Sequence, residues 1–398
     1  MLIGVVGKPS AGKSTFFNAA TMQDVPMASY PFTTIEANKA VGFVRVKRVD
    51  KEFGVIATPR NGYMKGDYRF VGVEMIDVAG LVPGAHEGKG MGNQFLNDLS
   101  RADVLVHVID ASGSTNEKGE AVPAGSHDPA KDVAFLEEEI NLWFLGIVNK
   151  NWDRIARVPY ESKTKMLEAL TQNLSGISAK HHQIEKAIQE LGLDGKKLKE
   201  WSEKEKIEFA SNIRKRSKPI IVAANKMDLP TAKDNVKKLR EKFPKTFVIP
   251  CSGISELTLK KADKDRAIDY VPGANSFEVK KELNEKQQKG IDYIKDNVLG
   301  PFGSTGIQEV LEKAVFEVLG YIAIFPGSTK GFVDSQGRTM PDCFLMPPGS
   351  TAVDFAFKLH TDFGERFIKA IDVRKKLMVG KEHELKHRDV IEIVHGAK

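Results

Sequence analysis

Cysteine is nearly absent. Cys251 and Cys343 are the only two in 398 residues, far apart and outside any C-x-x-C or Cys/His cluster. That excludes a disulfide framework and argues against a zinc site, so both are expected to be quiet thiols. No run of 18 or more apolar residues occurs, so no membrane span or membrane partner is expected. The first strand-like stretch, Leu2–Val6, runs straight into a glycine loop without the charged, cleavable flanks of a signal peptide, and a cytoplasmic location is the expectation. Charge of one sign is also lacking. Lys and Arg total 59 against 53 Asp and Glu, a net +6, which fits RNA or ribosomal partners without requiring them and gives no reason to expect DNA binding.

What is present is an ordinary globular composition, 41% hydrophobic and 28% charged. The chain is too long for a single typical core, so two or three domains are expected. Short β-branched runs recur at 2–6, 69–76, 104–109, 219–224 and 246–249, with helix-like stretches between several of them. That alternation predicts an α/β fold with a mostly parallel sheet. Residues 111–127, rich in glycine, serine and polar side chains, read as a long loop. From 128 to 218 the chain turns helical. Asp128 and Pro129 suit a cap and first turn, and Val133, Leu136, Ile140, Phe144 and Ile147 recur at helical spacing. Because strands resume at 219, this stretch reads as an insertion, a helical hairpin projecting from the sheet. A second apolar stripe, Ile307 to Leu319, stops at Gly320. After a break at Phe325-Pro326-Gly327, strands near Phe344, 367–371 and 390–394 and a helix over 351–360 suggest a small mixed module. The expected division is 1–320 for the main domain, with the insertion at about 128–218, and 321–398 for the module.

Gly7-Lys8-Pro9-Ser10-Ala11-Gly12-Lys13-Ser14 matches G-x-x-x-x-G-K-[ST] between an apolar strand and a helix. In such a loop, Thr15 included, backbone N–H groups curl around phosphates. Lys13 would reach the β- and γ-phosphates, and Ser14 would ligate Mg2+. Asp77-Val78-Ala79-Gly80 follows a strand, where the carboxylate can hold Mg2+ and the Gly80 N–H can meet the γ-phosphate. Asn225-Lys226-Met227-Asp228 ends another strand. An aspartate there can accept two hydrogen bonds from guanine, which adenine cannot supply. Cys251-Ser252-Gly253 is where a further loop would close over the base, with Ser252 and Gly253 as candidates or as an ordinary turn. In Tyr30-Pro31-Phe32-Thr33-Thr34, Thr33 or Thr34 could complete the metal shell when a γ-phosphate is present. Glycines 80, 84, 88, 90 and 92 suit a switch segment. The reading is a P-loop nucleotide site taking GTP or GDP with Mg2+.

YPFTT at 30–34, DVAGLVPGAHEGKGMGNQFL at 77–96 and NKMD at 225–228 resemble the Obg-like GTPases, the glycine-rich stretch resembling the YchF branch in particular. TAVDFAFKLHTDFGERFIKAIDVRKKLMVG and HELKHRDVIEIV near the end resemble a TGS domain, a ubiquitin-like β-grasp module. The resemblance implies a P-loop NTPase sheet with a helical insertion and a C-terminal TGS module. It also implies hydrolysis of GTP to GDP and phosphate, catalysed through Lys13, Gly80 and Thr33 or Thr34. YchF proteins usually lack the guanine-reading aspartate and prefer ATP. Asp228 is present here, so GTP and a sister group of YchF are expected. Ser10 stands where many relatives carry an asparagine tied to potassium activation, so the need for K+ stays open.

Leu81 follows D-x-x-G where a water-orienting glutamine often stands, so intrinsic hydrolysis should be slow. A histidine in the loop of residues 111–127 is the family analogy for orienting water, but His127 and His86 both read more simply as structural or solvated. Arg374, Lys375, Lys376, Lys381, Lys386 and Arg388 fall within fifteen residues, and the resemblance implies RNA or ribosome contact there. Arg214-Lys215-Arg216-Ser217-Lys218 carries the same two meanings, RNA contact or a solvated face. A switch acting on ribosomes or RNA particles is the leading expectation. A nucleotide-gated scaffold with incidental hydrolysis, or a P-loop kinase or ATPase, remains the alternative.

Overall fold

The computed structural model describes residues 1–21, 38–78, 92–157, 163–177, 179–334 and 336–396. Its first strand, β1 (Leu2–Val6), shows why the architecture has layers. Successive side chains of a strand point to opposite faces, and Leu2 and Val6 enter one apolar cluster while Ile3 and Val5 enter another. Both clusters are shielded from solvent, so β1 is buried on two sides, as a central parallel strand should be.

Six more strands complete the sheet: β2 (Lys39–Lys47), β3 (Tyr63–Lys65), β4 (Tyr68–Asp77), β5 (Val104–Asp110), β6 (Ile220–Asn225) and β7 (Val248–Pro250), in the order β2-β4-β1-β5-β6-β7 with β3 also on β4. From β4 to β7 all pairs are parallel, whereas β2 and β3 run antiparallel to β4. The alternating KAVGFVRVK of β2 is a strand that the sequence reading passed over. A two-residue β8 (Ile268–Asp269) pairs with β9 (Glu278–Val279) apart from the main sheet.

Helix α1 (Lys13–Thr21) follows β1, and α2 (Gly92–Arg101) precedes β5. The insertion holds α3 (Pro129–Asn149), α4 (Trp152–Arg157), α5 (Lys163–Asn173), α6 (His181–Glu190) and α7 (Glu203–Ser217). Asp128 caps α3 through Ala130 N, and Ser202 with Glu205 forms a capping box on α7. These helices do not simply project. Leu136, Ile140 and Phe144 of α3 and Ile213 of α7 share one apolar cluster with Leu2, Val6 and Leu105 of the sheet, so the insertion forms the layer on that face.

Helix α8 (Ala232–Lys242) packs on that same face beside α3, Val236 and Leu239 clustering with Val133, Val222 and Val248. On the other face lie α9 (Gly253–Lys264), with α10 (Glu285–Ile294) and α11 (Gly300–Phe302) beside it, and α12 (Ile307–Glu312). The stripe expected over 307–319 is helical but changes pitch, continuing from α12 as a π-helical segment, Lys313–Val318. Among the described residues no helix is long and apolar enough to cross a membrane.

The C-terminal sheet contains β10 (Ile322–Pro326), β11 (Phe344–Met346), β12 (Phe367–Asp372), β13 (Leu377–Val379) and β14 (Val390–His395), in the order β11-β10-β14-β12-β13. Helices α13 (Ala352–Leu359) and α14 (Thr361–Glu365) pack with it. Phe325-Pro326-Gly327 was expected to be a break, yet Pro326 ends a strand. Phe325 N donates to Asp389 O (2.9 Å) and Gly327 N to Ile391 O (3.0 Å), so β14 needs no N–H from residue 326. On the other flank β11 pairs only with residues 322–324. Proline's missing donor therefore costs nothing there.

Candidate functional site

Three loops from the sequence reading meet at the carboxyl ends of β1, β6 and β7. The loop after β1 is shaped by glycine at two points. A Cβ on Gly7 would lie 2.5 Å from Val108 O, and one on Gly12, whose φ is +90°, would lie 2.1 Å from Asn225 Nδ2. Ser10 also takes a left-handed φ of 60°. Phe16 N donates to Gly12 O (2.8 Å), so α1 opens directly on the loop with its N–H groups facing out.

Asn225 joins the loops. Its Nδ2 donates to Ala11 O (3.0 Å), and its Oδ1 accepts from Gly253 N (3.0 Å). One amide thus binds the first loop to the turn after β7. Ser252 is fully buried, and its hydroxyl caps α9 and bonds Ser255. The backbone of this turn lies at the site while the Ser252 side chain is used internally.

Lys13 and Asp77, distant in sequence, form an ion pair. Ser14 is exposed at the start of α1, and Thr15 is half-buried beside it. Lys8 points elsewhere. Its ammonium donates to Thr115 O (2.9 Å) and stands 2.8 Å from Asp132 Oδ2, while His127 Nε2 reaches Asp132 Oδ1 at 2.8 Å. His127 is therefore a buried structural partner of Asp132. Pro9 lies beneath Gly119, where a Cβ would come within 2.7 Å of it. Thr33, Thr34 and Gly80, with Leu81 and His86, lie outside the described residues.

The sequence reading missed Asp110. It ends β5 fully buried and accepts from Ser112 N (3.0 Å), Ser112 Oγ (2.5 Å), Ser114 Oγ (2.8 Å), Thr115 Oγ1 (2.9 Å) and Lys226 Nζ (2.9 Å). Burial alone would raise its pKa, but these donors hold it below the usual carboxylate range. Asp110 thus fixes both the loop of residues 111–127 and Lys226, itself at φ 63°. The D-A-S-G-S-T run, with hydroxyls two, four and five residues after a strand-end aspartate, was the available signal.

Asp228 completes the arrangement. Its Oδ1 is buried with no hydrogen-bond partner among the described residues, and Tyr293 Oη donates to its backbone carbonyl (3.1 Å). A buried, unpaired carboxylate oxygen is costly unless something donates to it. The site therefore offers a strand-end acceptor beside a phosphate-type loop, with a lysine and an aspartate across from it.

The basic clusters resolve differently. Arg214 and Lys218 are buried. Arg214 Nε donates to Asn141 Oδ1 (3.1 Å), and Lys218 donates to the carbonyls of Ser100 and Ala102 (2.7 and 2.6 Å). Arg216 pairs with Glu190. That run is largely internal structure. In the C-terminal module Arg374 Nε donates to Glu52 (2.7 Å), Arg388 pairs with the same carboxylate, and Lys375 pairs with Asp372 (3.0 Å). Lys376, Lys381 and Lys386 remain exposed.

Comparison with known proteins places this geometry. Residues 2–139 match the family described as 50S ribosome-binding GTPase, 223–328 the G4 motif-containing domain of YGR210-like Obg-like GTPases, and 334–395 the TGS domain. A GTP-binding protein of Methanocaldococcus jannaschii, MJ1332, is 45% identical over 400 residues, covering all of both chains. The chain is an Obg-like GTPase of the YchF-related branch. Within this family it is 35% identical to GTP-binding protein C428.15 of Schizosaccharomyces pombe over 88% of each chain, and 26% identical to Obg-like ATPase 1 of Gallus gallus over 92% of this chain and 81% of that one. The structure of a GTP-binding protein from Pyrococcus horikoshii aligns over both whole chains with a TM-score of 0.80 at 36% identity. The Schizosaccharomyces pombe YchF GTPase shares the fold, with a TM-score of 0.61 at 21% identity, over 99% of this chain and 97% of that one. The P-loop sheet, the helical insertion and the C-terminal TGS module of this Obg-like GTPase are thus those of its relatives.

Proposed function

We propose that this protein binds GTP with Mg2+ and hydrolyses it to GDP and phosphate, slowly on its own, as a switch acting on ribosomes or another RNA particle. The observation that carries the reading is Asp228 Oδ1, a buried acceptor without a partner among the described residues, in the loop after β6, where a guanine N1–H and 2-amino group would satisfy it. Its relatives are named as GTP-binding proteins, and Obg-like ATPase 1 of the chicken as an ATPase. Asp228 supports guanine as the base here.

The donor chemistry suits a hard divalent cation. Ser14 offers a hydroxyl and Asp77 a carboxylate, and the contact between Lys13 and Asp77 puts both beside the phosphate loop. Mg2+ bound there would neutralise charge on the β- and γ-phosphate oxygens. The protein's own part is positioning. Backbone N–H groups of residues 7–15 hold the phosphates, Lys13 supplies a cation to the terminal phosphate, and Asn225 keeps the phosphate loop and the base loop in register. Thr33, Thr34 and Gly80 would complete the switch. Residues 1–320 would form the GTPase domain, with its insertion at about 128–218, and residues 321–398 the TGS domain, in the cytoplasm. Support for an RNA partner is confined to the exposed Lys376, Lys381 and Lys386.

The test is Asp228→Asn, assayed by competition of GDP and ADP for a fluorescent nucleotide. Preference for guanine should fall at least tenfold, the scale expected when a buried polar contact is broken. Unchanged selectivity would refute the assignment. The switch reading is tested by sedimentation with ribosomal particles, where pelleting with a non-hydrolysable GTP analogue but not with GDP is expected.

A further inference from the structure

A groove of about 840 Å3 opens where the large sheet faces the C-terminal sheet, a size common to ligand sites. One wall is β4, which lacks a neighbour for three residues. On the flank away from β2, β3 accompanies β4 only as far as the Tyr63–Phe70 pair, and β1 joins only at the Leu2–Glu74 pair. Between them Val71, Gly72 and Val73 pair with β2 alone. The opposite wall is β11, the edge strand of its sheet, which pairs with β10 alone. Among the described residues no strand pairs with either edge on the groove side.

Successive residues of a strand turn their N–H and C=O groups to opposite flanks. Each three-residue edge therefore presents at least one donor and acceptor to the groove. Between the edges the lining is mostly apolar, including Val71, Phe344 and Phe357, the last 49% exposed, with Asn61 and Ser350 among its polar members. The ionic lining is weighted towards acid. Glu74 and Asp354, whose Oδ2 also accepts from Thr351 N and Oγ1, face Lys358, the Met1 ammonium stands 3.8 Å from Asp103, and Asp342 is held by Arg60 at 2.9 Å. Carboxylates would repel a polyphosphate chain but attract a cationic side chain.

We propose that this groove binds an extended peptide segment of a partner protein, added as a strand along β4 and β11 and carrying a basic side chain near Glu74 and Asp354. An extended peptide is the ligand whose backbone answers strand edges on both flanks, with alternate side chains left to select it. The site is separate from the nucleotide loops and does not depend on how they are read.

The probe is a fluorescein-labelled, capped hexapeptide of alternating lysine and valine, titrated against the full chain by anisotropy while hydrogen exchange is followed. Saturable binding with slowed exchange at residues 71–73 and 344–346 is expected. Affinity should fall at least tenfold when alternate amides of the peptide are N-methylated, which removes donors and keeps charge. Glu74→Lys and, separately, the surface change Phe357→Ala should each weaken binding at least threefold with the fold retained. Equal binding of the N-methylated peptide, protection elsewhere, or no binding would overturn the proposal. So would equal binding of a glutamate–valine peptide, or protection of the same edges by oligouridylate instead.

Discussion

His107 illustrates how a single buried group can set a pH response. It lies on β5 opposite Val6, 1% exposed, with Nδ1 lacking a partner among the described residues. Burial, reinforced by the nearby Lys8 ammonium, pushes its pKa from 6.5 down to about 3. Unfolded, the imidazole takes up a proton near pH 6.5; folded, it does so only near pH 3. Between those values the unfolded chain binds more protons, so stability rises with pH and is lost as pH falls through the window. The slope from one such group approaches about 1.4 kcal/mol per pH unit. His107→Leu should flatten the fall in urea stability between pH 6 and 4 by that order. Parallel wild-type and variant profiles would show that His107 does not titrate this way. Lys8, Asp132 and His127 surround the same region, so the comparison rests on the difference between profiles, in which their shared contribution cancels.

At the scale of elements, the two arginines on Glu52 change the meaning of the basic run. Arg374 leads the turn after β12 and Arg388 lies just before β14, and both reach a short 3-10 helix at Asp50–Phe53 in the other domain. They act as a clamp between sheets, whereas Lys376, Lys381 and Lys386 point to solvent. Alanine at Arg374 and Arg388 should speed hydrogen exchange at the domain contact. Because such part-exposed pairs contribute little, global stability should fall by only about 1 kcal/mol. Alanine at the three lysines should reduce pelleting with ribosomal particles and leave exchange unchanged. The reverse pattern would reassign the two groups. The phosphate loop, the β6 loop and the parallel strands were legible because each is a contiguous run whose chemistry is local. Lys8 was not, since its partners Thr115 and Asp132 are more than a hundred residues away in sequence. Asp110 was passed over because its nearby hydroxyls read as an ordinary turn until Lys226, 116 residues on, is placed beside them. β3 and β13, three residues each, lie below the length at which alternation is informative. Pro326 was read as a break because its free flank appears only once β11 and β14 are placed.

At the scale of the molecule, the two sheets share a core. β10 alternates, sending Ala323 and Phe325 into the cluster that holds Ile3, Val106, Leu311 and Val315, and Ile324 into the smaller cluster with Phe355 and Ala370. β14 does the same with Val390 and Ile391. The TGS module therefore covers apolar side chains of the GTPase sheet as well as its own. Separate domains joined by a polar linker would unfold apart, but here exposing one core exposes part of the other. With nucleotide held constant, calorimetry of the full chain should show one cooperative transition. Leu311→Ala, in that shared core and 1% exposed, should move the whole transition downward, at a cost of about 2–5 kcal/mol. Two peaks, of which the substitution moved only one, would mean that the shared cluster does not couple the modules and that the TGS domain is free to move when the nucleotide changes.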